Sequence, residues 1–591
     1  VTIGDIERTR LNHIKILFFI GVNDGVVPKA GNAGGIISQF EREKMVACHL
    51  ELAPGAREKV FIQRFYLYLN VTKPSDFLYV TFSKVNADGK ALRRSYFVGT
   101  LLKMFPEKTV EEIEETTSAD CIMTPKSSMA FFLEGLQDEA WSGENEKTAS
   151  GEDQTEEKLS EPAKKEVWNA LAKFYLSDEN WKEEAVRLLK ASYVVHSDEP
   201  ISHAVTQALY GTVLENSVTR LEHFAACAYA HYLNYGLRLR ERQLLEFASV
   251  DMGNIYHDAL EHFSRRVEKS EYTWFDIPED VQETFIEESM DDAIAGCKNA
   301  GAFENVRNRY LTGRMRQTIK RTVWALTTQI QKGKFVPTDF EVSFSRADKL
   351  DAIRFQLSDE EKMNLLGRID RVDTYETPDK VYVKIIDYKS GNTSFSLVNL
   401  YHGLQLQLVV YMNAALELEG KRHPGKKAEP AGIFYYHIQN PMVDGLGNET
   451  EAEIKNNVLE QLKLNGLVND DPEIYEAMDS DFAGNSSVIP IGKKADGSLK
   501  ATSKAASTYD FSVMSDYVRE KIKETGKKIF AGDISIHPYS LDGKSGCDYC
   551  PYHTVCGFDA RMPGYSYHKL EKFDSADEVL KRMENEKQEQ K

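Results

Sequence analysis

Apolar residues in this chain fall into short runs with two distinct periods. In VDMGNIYHDALEHFSRRV, Ile255, Ala259 and Phe263 recur every fourth residue, the spacing of one helix face, and His257 and Glu261 stand four apart on another. In NVRNRYLTGRMRQTIKRTVW, Met315, Ile319 and Val323 define an inward stripe. SLVNLYHGLQLQLVVYMNAALELEG predicts a further helix, with Gln407 and Tyr411 on one face. Other runs predict strands. IKILFFIGV reads as a buried strand, and DFEVSFS and AGIFYYHIQ as two more. Between these last two lies NLLGRIDRVDTYETPDKVYVKIIDYKS, whose two β-rich runs flank ETPDK, with turn-forming Pro378 and Asp379. This predicts a β-hairpin. The order helix, strand, hairpin, helix, strand is that of an α/β core.

The hairpin carries candidate chemistry. If Pro378-Asp379 forms the tip, pairing is symmetric about it and Asp370 lies opposite Asp387, while two-residue alternation puts Asp387 and Lys389 on one face. Opposed carboxylates repel unless a cation sits between them. A lysine beside that cation can orient a water, so the pattern suits a hard-cation site for phosphodiester hydrolysis. D-x-K alone is a common triplet, and an ordinary charged surface hairpin fits it too.

Composition sets the limits. At 591 residues the chain is long enough for three or four domains, and with 42% hydrophobic residues and no apolar run near 18 it predicts no membrane span or signal peptide. It opens on Val1 within structured-looking sequence, which suggests a piece of a longer protein. Seven cysteines in a chain this long do not make a disulfide scaffold, which points to a reducing cytosol. A net charge of −19 argues against a generic nucleic-acid coat protein but leaves local phosphate grooves open. Residues 138–161 are rich in acids, Gly and Ser, as in a mobile loop or linker. By contrast Arg307, Arg309, Arg314, Arg316, Lys320 and Arg321 form one basic helix face, either solvated or tracking phosphates.

Four motifs in series, G-x-x-x-H-x-x-L-E (Gly253, His257, Leu260, Glu261), G-R-I-D ending at Asp370, D-Y-K (Asp387, Lys389) and Q-x-x-x-Y (Gln407, Tyr411), resemble those of RecB-type nucleases of the PD-(D/E)xK superfamily. The resemblance implies that His257, Asp370, Asp387 and the main-chain carbonyl of Tyr388 bind Mg²⁺, with Mn²⁺ as a substitute. It also implies that Lys389 positions the attacking water, and that Gln407 and Tyr411 organise the site and the DNA strand.

Near the C-terminus GKSGCDYCPYHTVCGFDA holds Cys547, Cys550 and Cys556 in a C-x2-C-x5-C run, and Cys227 precedes the first motif. This arrangement resembles the AddB and Cas4 nucleases, where four such cysteines hold an iron–sulfur cluster. The resemblance implies a [4Fe-4S] cluster on Cys227, Cys547, Cys550 and Cys556, although Ala228 stands where the family usually has Pro. Spacing alone fits Zn²⁺ as well. Closing a loop of about 320 residues would remove on the order of 5 kcal/mol of unfolded-chain entropy. Cys48, Cys121 and Cys297 are expected to be buried or inert.

The N-terminal stretches VTIGDIERTRLNHIKILFFIGVNDGVVPKAG and EKVFIQRFYLYLNVTKPSDFLYVTFSKVNADGKAL are similar to the last segments of the second RecA-like domain of AddB-type chains. Lys73 stands where related chains commonly show Arg, and no G-x-x-x-x-G-K-[ST] phosphate loop occurs in this chain, so no ATPase activity is expected of it. The expected fold is α/β and multidomain: the end of a RecA-like helicase domain over residues 1–125, an acidic loop and helical linker over 126–207, and a cluster-stapled PD-(D/E)xK nuclease domain over 208–591. The resemblance implies a metal-dependent DNA exonuclease of the bacterial cytoplasm. It would be paired with an AddA-like helicase–nuclease, act on single- and double-stranded DNA, and process double-strand ends for recombinational repair. Two alternatives stand beside it, a catalytically idle DNA-binding scaffold for that partner and a Cas4-like stand-alone exonuclease.

Overall fold

The computed structural model describes residues 2–29, 52–86, 91–112, 122–141, 161–240, 249–297, 306–344, 350–443, 450–480 and 482–589, with 42, 44, 45, 47–50 and 242. The described residues form two compact units, 1–189 and 190–591. Most of the acidic 138–161 stretch and Cys121 lie outside the described residues.

In the N-terminal unit β1 (Ile16–Phe19) and β2 (Phe77–Val80) pair in parallel, with helix α1 (Ala56–Val71) crossing between them. Helix α2 (Tyr96–Met104) follows, and Val22, Leu67, Phe97 and Val98 form a small core. The expectation of a buried strand over IKILFFIGV is corrected here. β1 alternates, and Ile16 and Phe18 are exposed on one face, where Phe18 stacks on Tyr79 at 4.7 Å. Helices α3 (Pro125–Trp141), α4 (Glu161–Ser177) and α5 (Lys182–Ser192) follow, with a core around Phe132 and Tyr175.

The C-terminal unit is built on a mixed sheet. Its elements are α6 (His203–Tyr210), β3 (Val213–Ser217), α7 (Val218–Ala226), α8 (Ser249–Lys269), α9 (Glu279–Gly296), α10 (Val306–Gln331), β4 (Val336–Phe344), β5 (Arg354–Gln356), β6 (Lys362–Glu376) and β7 (Lys380–Lys389). They continue with α11 (Gln407–Arg422), β8 (Lys427–His437), β9 (Asn465–Asn469), β10 (Ala505–Ala506), α12 (Thr508–Phe530) and α13 (Ala576–Glu589). Strand order is β10-β9-β8-β7-β6-β3, with β4 and β5 also on β6. Residues 190–207, read from the sequence as linker, belong to this unit: His196 N–H donates to Pro563 O and Ile201 N–H to Gly532 O.

β7 is buried on both faces, which is why VYVKII reads as a nearly continuous apolar run. Val381, Val383 and Ile385 face α11 and α12, packing with Val409, Met412, Met514 and Val518. Tyr382 and Ile386 face α8 and α10, packing with Ile255, Phe263, Ile319 and Val323. The sheet is thus sandwiched, and its central hairpin is held from both sides.

Candidate active site

The hairpin turns at Pro378-Asp379. Thr377 N–H donates to Lys380 O across the turn, and the ladder runs from Glu376–Val381 to Arg371–Ile386, so its next step sets Asp370 opposite Asp387. Asp370 and Asp387 are both buried. Two residues along, Lys389 Nζ lies 2.7 Å from Asp387 Oδ2. Asp370 is pinned from the backbone, its Oδ2 accepting the Tyr388 amide at 2.7 Å. Tyr388 therefore reaches the site through its main chain, while its ring lies on the other face, among Ile386, Phe434 and Tyr436.

Helix α8 delivers His257. A Cβ on Gly253 would sit only 3.3 Å from Ser390 Oγ, so glycine suits the close approach of α8 to the end of β7. One turn later His257 Nδ1 stands 3.4 Å from Asp370 Oδ2 and 3.8 Å from Glu341 Oε1. Glu261, of the same motif, instead pairs with Arg265 at 2.8 Å.

Glu341 is the site residue that the sequence reading missed. The β4–β6 register, Phe340 to Arg371 and Val342 to Ile369, places it across from Asp370. His257, Glu341 and Asp370 offer ligand atoms all within 4.8 Å of one another. Arg368, half exposed at the rim, pairs with the other oxygen of Glu341. Glu341 also has φ of +51°, a left-handed conformation unusual for a strand residue with a side chain, and such strain gathers at functional sites. Nothing in DFEVSFS marks it, since an acid alternating with apolar residues is ordinary for a strand.

The permanent cations of the site, Lys389 and Arg368, do not settle the charge of its three acids. Burial drives the Asp387 carboxyl up to about 7, Asp370 adds to the rise, and Lys389 and His257 oppose it. Burial also lifts Glu341, against the His257 hydrogen bond. For His257 burial works against the imidazolium, but the hydrogen bonds and charges of Asp370 and Glu341 outweigh it and hold the ring at about 10. Carboxyls raised by burial at Asp387 and Glu341, beside a histidine held protonated by its acidic neighbours, make a site that suits an added cation.

On the opposite flank Gln407 joins the parts. Its Nε2 donates to Asp387 Oδ1 at 2.8 Å and contacts the Tyr411 hydroxyl at 3.1 Å, while its Oε1 accepts from Lys389 Nζ at 3.0 Å. Phe344 packs edge-on against Tyr411, and its ring occupies the space that a side chain on Gly367 would need. The single helix expected over 396–420 is two: Leu397–Tyr401 and α11, separated at Gly403 with φ of +79°. Gln407 therefore opens α11. Its N-cap, Leu406, has no capping side chain, and the Glu222 carboxylate of α7 accepts the amides of Leu406 and Gln407 at 2.7 and 3.1 Å instead. Burial lifts Glu222 to about 7 against the pull of those two amides and of Lys389.

Cys227 ends α7, and together with Cys547, Cys550 and Cys556 it lines one small cavity, closed elsewhere mainly by Ala230, Ile536, Pro538 and Phe558. All four are free thiols. Burial pushes Cys547 up to about 11, with the other three thiols adding to the effect, and burial also raises Cys227 and Cys550. Four sulfurs converging on one cavity fit a thiolate-bound metal or cluster. Of the remaining cysteines, Cys48 is exposed and Cys297 half-buried.

The basic face of α10 is largely spoken for. Met315, Ile319 and Val323 are buried as expected, but Arg316 pairs with Glu287 and Asp291 of α9, and Lys320 with Glu283. Arg321 lies over Trp324, and Arg309 and Arg314 are exposed. The phosphate-tracking reading loses Arg316 and Lys320 to these ion pairs. No helix among the described residues is long and apolar enough to cross a membrane.

Comparison with known proteins bears on the same residues. The PD-(D/E)XK nuclease superfamily profile matches residues 215–557, which include Cys227, His257, Glu341, Asp370, Asp387, Lys389, Gln407 and the C-terminal cysteine run. The chain is 36% identical over 580 residues to the B subunit of the ATP-dependent helicase/deoxyribonuclease of Lachnoclostridium phytofermentans, covering 96% of this chain and 47% of that protein. It is 31% identical over 593 residues to the same-named protein of Alkaliphilus metalliredigens, covering 100% of this chain and 50% of that one. For Clostridium tetani the figures are 32% over 583 residues, 98% and 49%. The chain thus spans about half the length of the curated relatives it matches.

Proposed function

The chain belongs to the PD-(D/E)XK nuclease superfamily, and from that premise we propose that it is the nuclease-bearing part of the B subunit of an ATP-dependent helicase–deoxyribonuclease, hydrolysing phosphodiester bonds of DNA. The observation that carries the reading is the meeting of Asp370, Asp387, Lys389 and Gln407 on two paired strands and one helix start.

His257, Asp370, Asp387 and the Tyr388 carbonyl, with Glu341 next to them, would hold Mg²⁺ or Mn²⁺. The ion would supply Lewis-acid polarisation of the phosphate and neutralise developing charge. The protein's own groups do the positioning. Lys389 Nζ is ion-paired with Asp387 and donates to Gln407 Oε1, which fixes the ammonium at the site with donors left to hold the attacking water or a phosphate oxygen. Gln407 cannot rotate without breaking contacts to Lys389, Asp387 and Tyr411 together, which fixes the ammonium against the carboxylate.

We assign a [4Fe-4S] cluster to Cys227, Cys547, Cys550 and Cys556, where it would tie the two ends of the nuclease unit together, with Zn²⁺ as the rival metal. The parallel strand–helix–strand of residues 16–80 supports the end of a RecA-like domain, and with no phosphate-loop motif in this chain no ATP hydrolysis is expected of it. The relatives' names, each the B component of an ATP-dependent helicase/deoxyribonuclease, support a partner subunit and DNA as the substrate. That the partner is AddA-like, that single- and double-stranded DNA are both acted on, and that the role is repair of double-strand ends in the cytoplasm belong to the same proposal.

The test is degradation of end-labelled single-stranded DNA, with and without Mg²⁺, by wild type beside Lys389→Ala, both checked for broad absorbance near roughly 400 nm from sulfur-to-iron charge transfer. Mg²⁺-dependent cutting by wild type alone is expected. A cluster-loaded wild type that never cuts would favour a scaffold for its partner, or a site that needs the partner to deliver the strand.

A further inference from the structure

The four-cysteine cavity and the carboxylate site are joined by one short helix. α7 runs from Val218 to Ala226, and Cys227 closes its last turn by donating its amide to His223 O at 3.0 Å. Five residues before Cys227, about 7–8 Å along the axis, Glu222 accepts the first amides of α11. Those amides belong to Leu406 and Gln407, and the Gln407 side chain grips Lys389, Asp387 and Tyr411. Three further observations show that the connection is tight. Gly403, in the break before α11, lies where a Cβ would touch Ala225 of α7 at 3.4 Å. Tyr229 N–H, just past Cys227, donates to Ser535 O, and a Cβ on Gly546 would meet Ala226 O at 2.7 Å, so the cysteine-bearing segments clasp this end of α7. α11, finally, has no cap of its own.

We propose that Glu222 is a positioning residue that carries the placement of the cysteine cavity into the nuclease site, by fixing the N-terminus of α11 and through it Gln407 and Lys389. This rests on the nuclease reading above and adds to it. The cysteine group then does more than staple chain ends, because its loss frees α7, withdraws the Glu222 carboxylate and lets Gln407 release the lysine. Glu222 touches no reacting atom. It works by satisfying two helix-start amides that Leu406 cannot satisfy.

The experiment uses the full chain at pH 8, with the cysteine group loaded in wild type and in the Glu222 variants. Glu222→Ala, Glu222→Gln and Cys547→Ser are compared with wild type by amide hydrogen exchange in EDTA and by Mg²⁺-dependent single-strand cleavage. In Glu222→Ala, peptides spanning 404–411 are expected to exchange about tenfold faster, the size of a lost helix cap, while α8 peptides over 253–263 stay unchanged. kcat should fall by about 10–100-fold, as for a small misplacement of catalytic groups, with KM held within about threefold. Glu222→Gln keeps an acceptor oxygen and should hold both readouts within about threefold of wild type. Cys547→Ser should reproduce the exchange change at 404–411. Unchanged exchange at 404–411 in Glu222→Ala overturns the proposal, as does exchange that rises equally in α8 or a Cys547→Ser protein with wild-type protection there. Should Glu222→Ala fail to fold, Cys547→Ser decides on the same peptides. A wild type that cuts no DNA strikes the nuclease reading, yet the exchange arm still decides this one.

Discussion

The two faces of the β6–β7 hairpin carry charge clusters of opposite design. On the α11 face three carboxylates, Glu341, Asp370 and Asp387, meet Lys389, His257 and the rim guanidinium of Arg368, and Lys389 and His257 keep about a quarter of their side chains exposed. On the α8 face Arg371 and Lys384 meet one carboxylate, Asp373, and all three are sealed. There Arg371 forks onto Asp373 at 2.6 and 2.8 Å, Lys384 reaches the same carboxylate at 2.7 Å across the strand pair, and Arg371 and Lys384 lie over Trp274 and Phe335. Alternation along a strand is all that separates them: Asp370 and Arg371 are neighbours, as are Asp387 and Tyr388. The open cluster is reachable, and its three carboxylates are balanced only while His257 holds a proton, a place that an added cation can take. The closed cluster places two buried cations on one carboxylate inside the protein, and those contacts brace the hairpin on which the open one depends. One strand pair thus serves as catalytic platform and as its own foundation.

The largest expected effect breaks the closed cluster. Asp373→Ala leaves Arg371 and Lys384 buried without a counter-charge, and denaturant unfolding of the full chain should show a loss of about 3–5 kcal/mol. Next comes the open cluster with the opposite sign. The Asp387 carboxyl is raised from 3.8 to about 7, so the metal-free folded chain holds that proton more tightly than the unfolded one. That contribution to stability is present below about pH 4 and is lost as pH rises through about 7. Metal-free Asp387→Asn should therefore be more stable than wild type at pH 8 by about 1–3 kcal/mol, with the gain vanishing at pH 4, while its DNA cleavage is abolished. A variant less stable at pH 8 would show that the Lys389 contact outweighs the repulsion. Smaller still, Glu341→Gln should raise the Mg²⁺ concentration for half-maximal cleavage by about tenfold without unfolding the chain. The smallest change tests α10: Lys320→Ala should cost at most about 1 kcal/mol and leave DNA affinity unaltered, because its partner is Glu283 rather than phosphate.

These contrasts also explain what the chain discloses before it folds. The hairpin register is legible because Pro378-Asp379 marks its tip, and symmetry about that point puts Asp370 and Asp387 face to face. The α8 and α10 stripes are legible because four-residue periodicity needs no partner to be seen. Everything that depends on a second element is not. Glu341 reads as routine alternation until β4 pairs with β6. Arg371, Asp373 and Lys384 read as polar residues of a two-faced strand until α8 and α10 cover them. The charges of α10 look free until α9 supplies the acids. Gly403 was the one overlooked local signal: a glycine inside a helical pattern announced the break that makes Gln407 a helix start.

The most direct test is thermal unfolding of EDTA-stripped chain at pH 8, with and without saturating Mg²⁺, for wild type and for Asp370→Asn/Asp387→Asn. If the open cluster is built for a cation, Mg²⁺ stabilises wild type by about 2–3 kcal/mol and leaves the double variant unmoved. Equal melting of wild type with and without Mg²⁺, or an equal shift in the variant, would contradict the account.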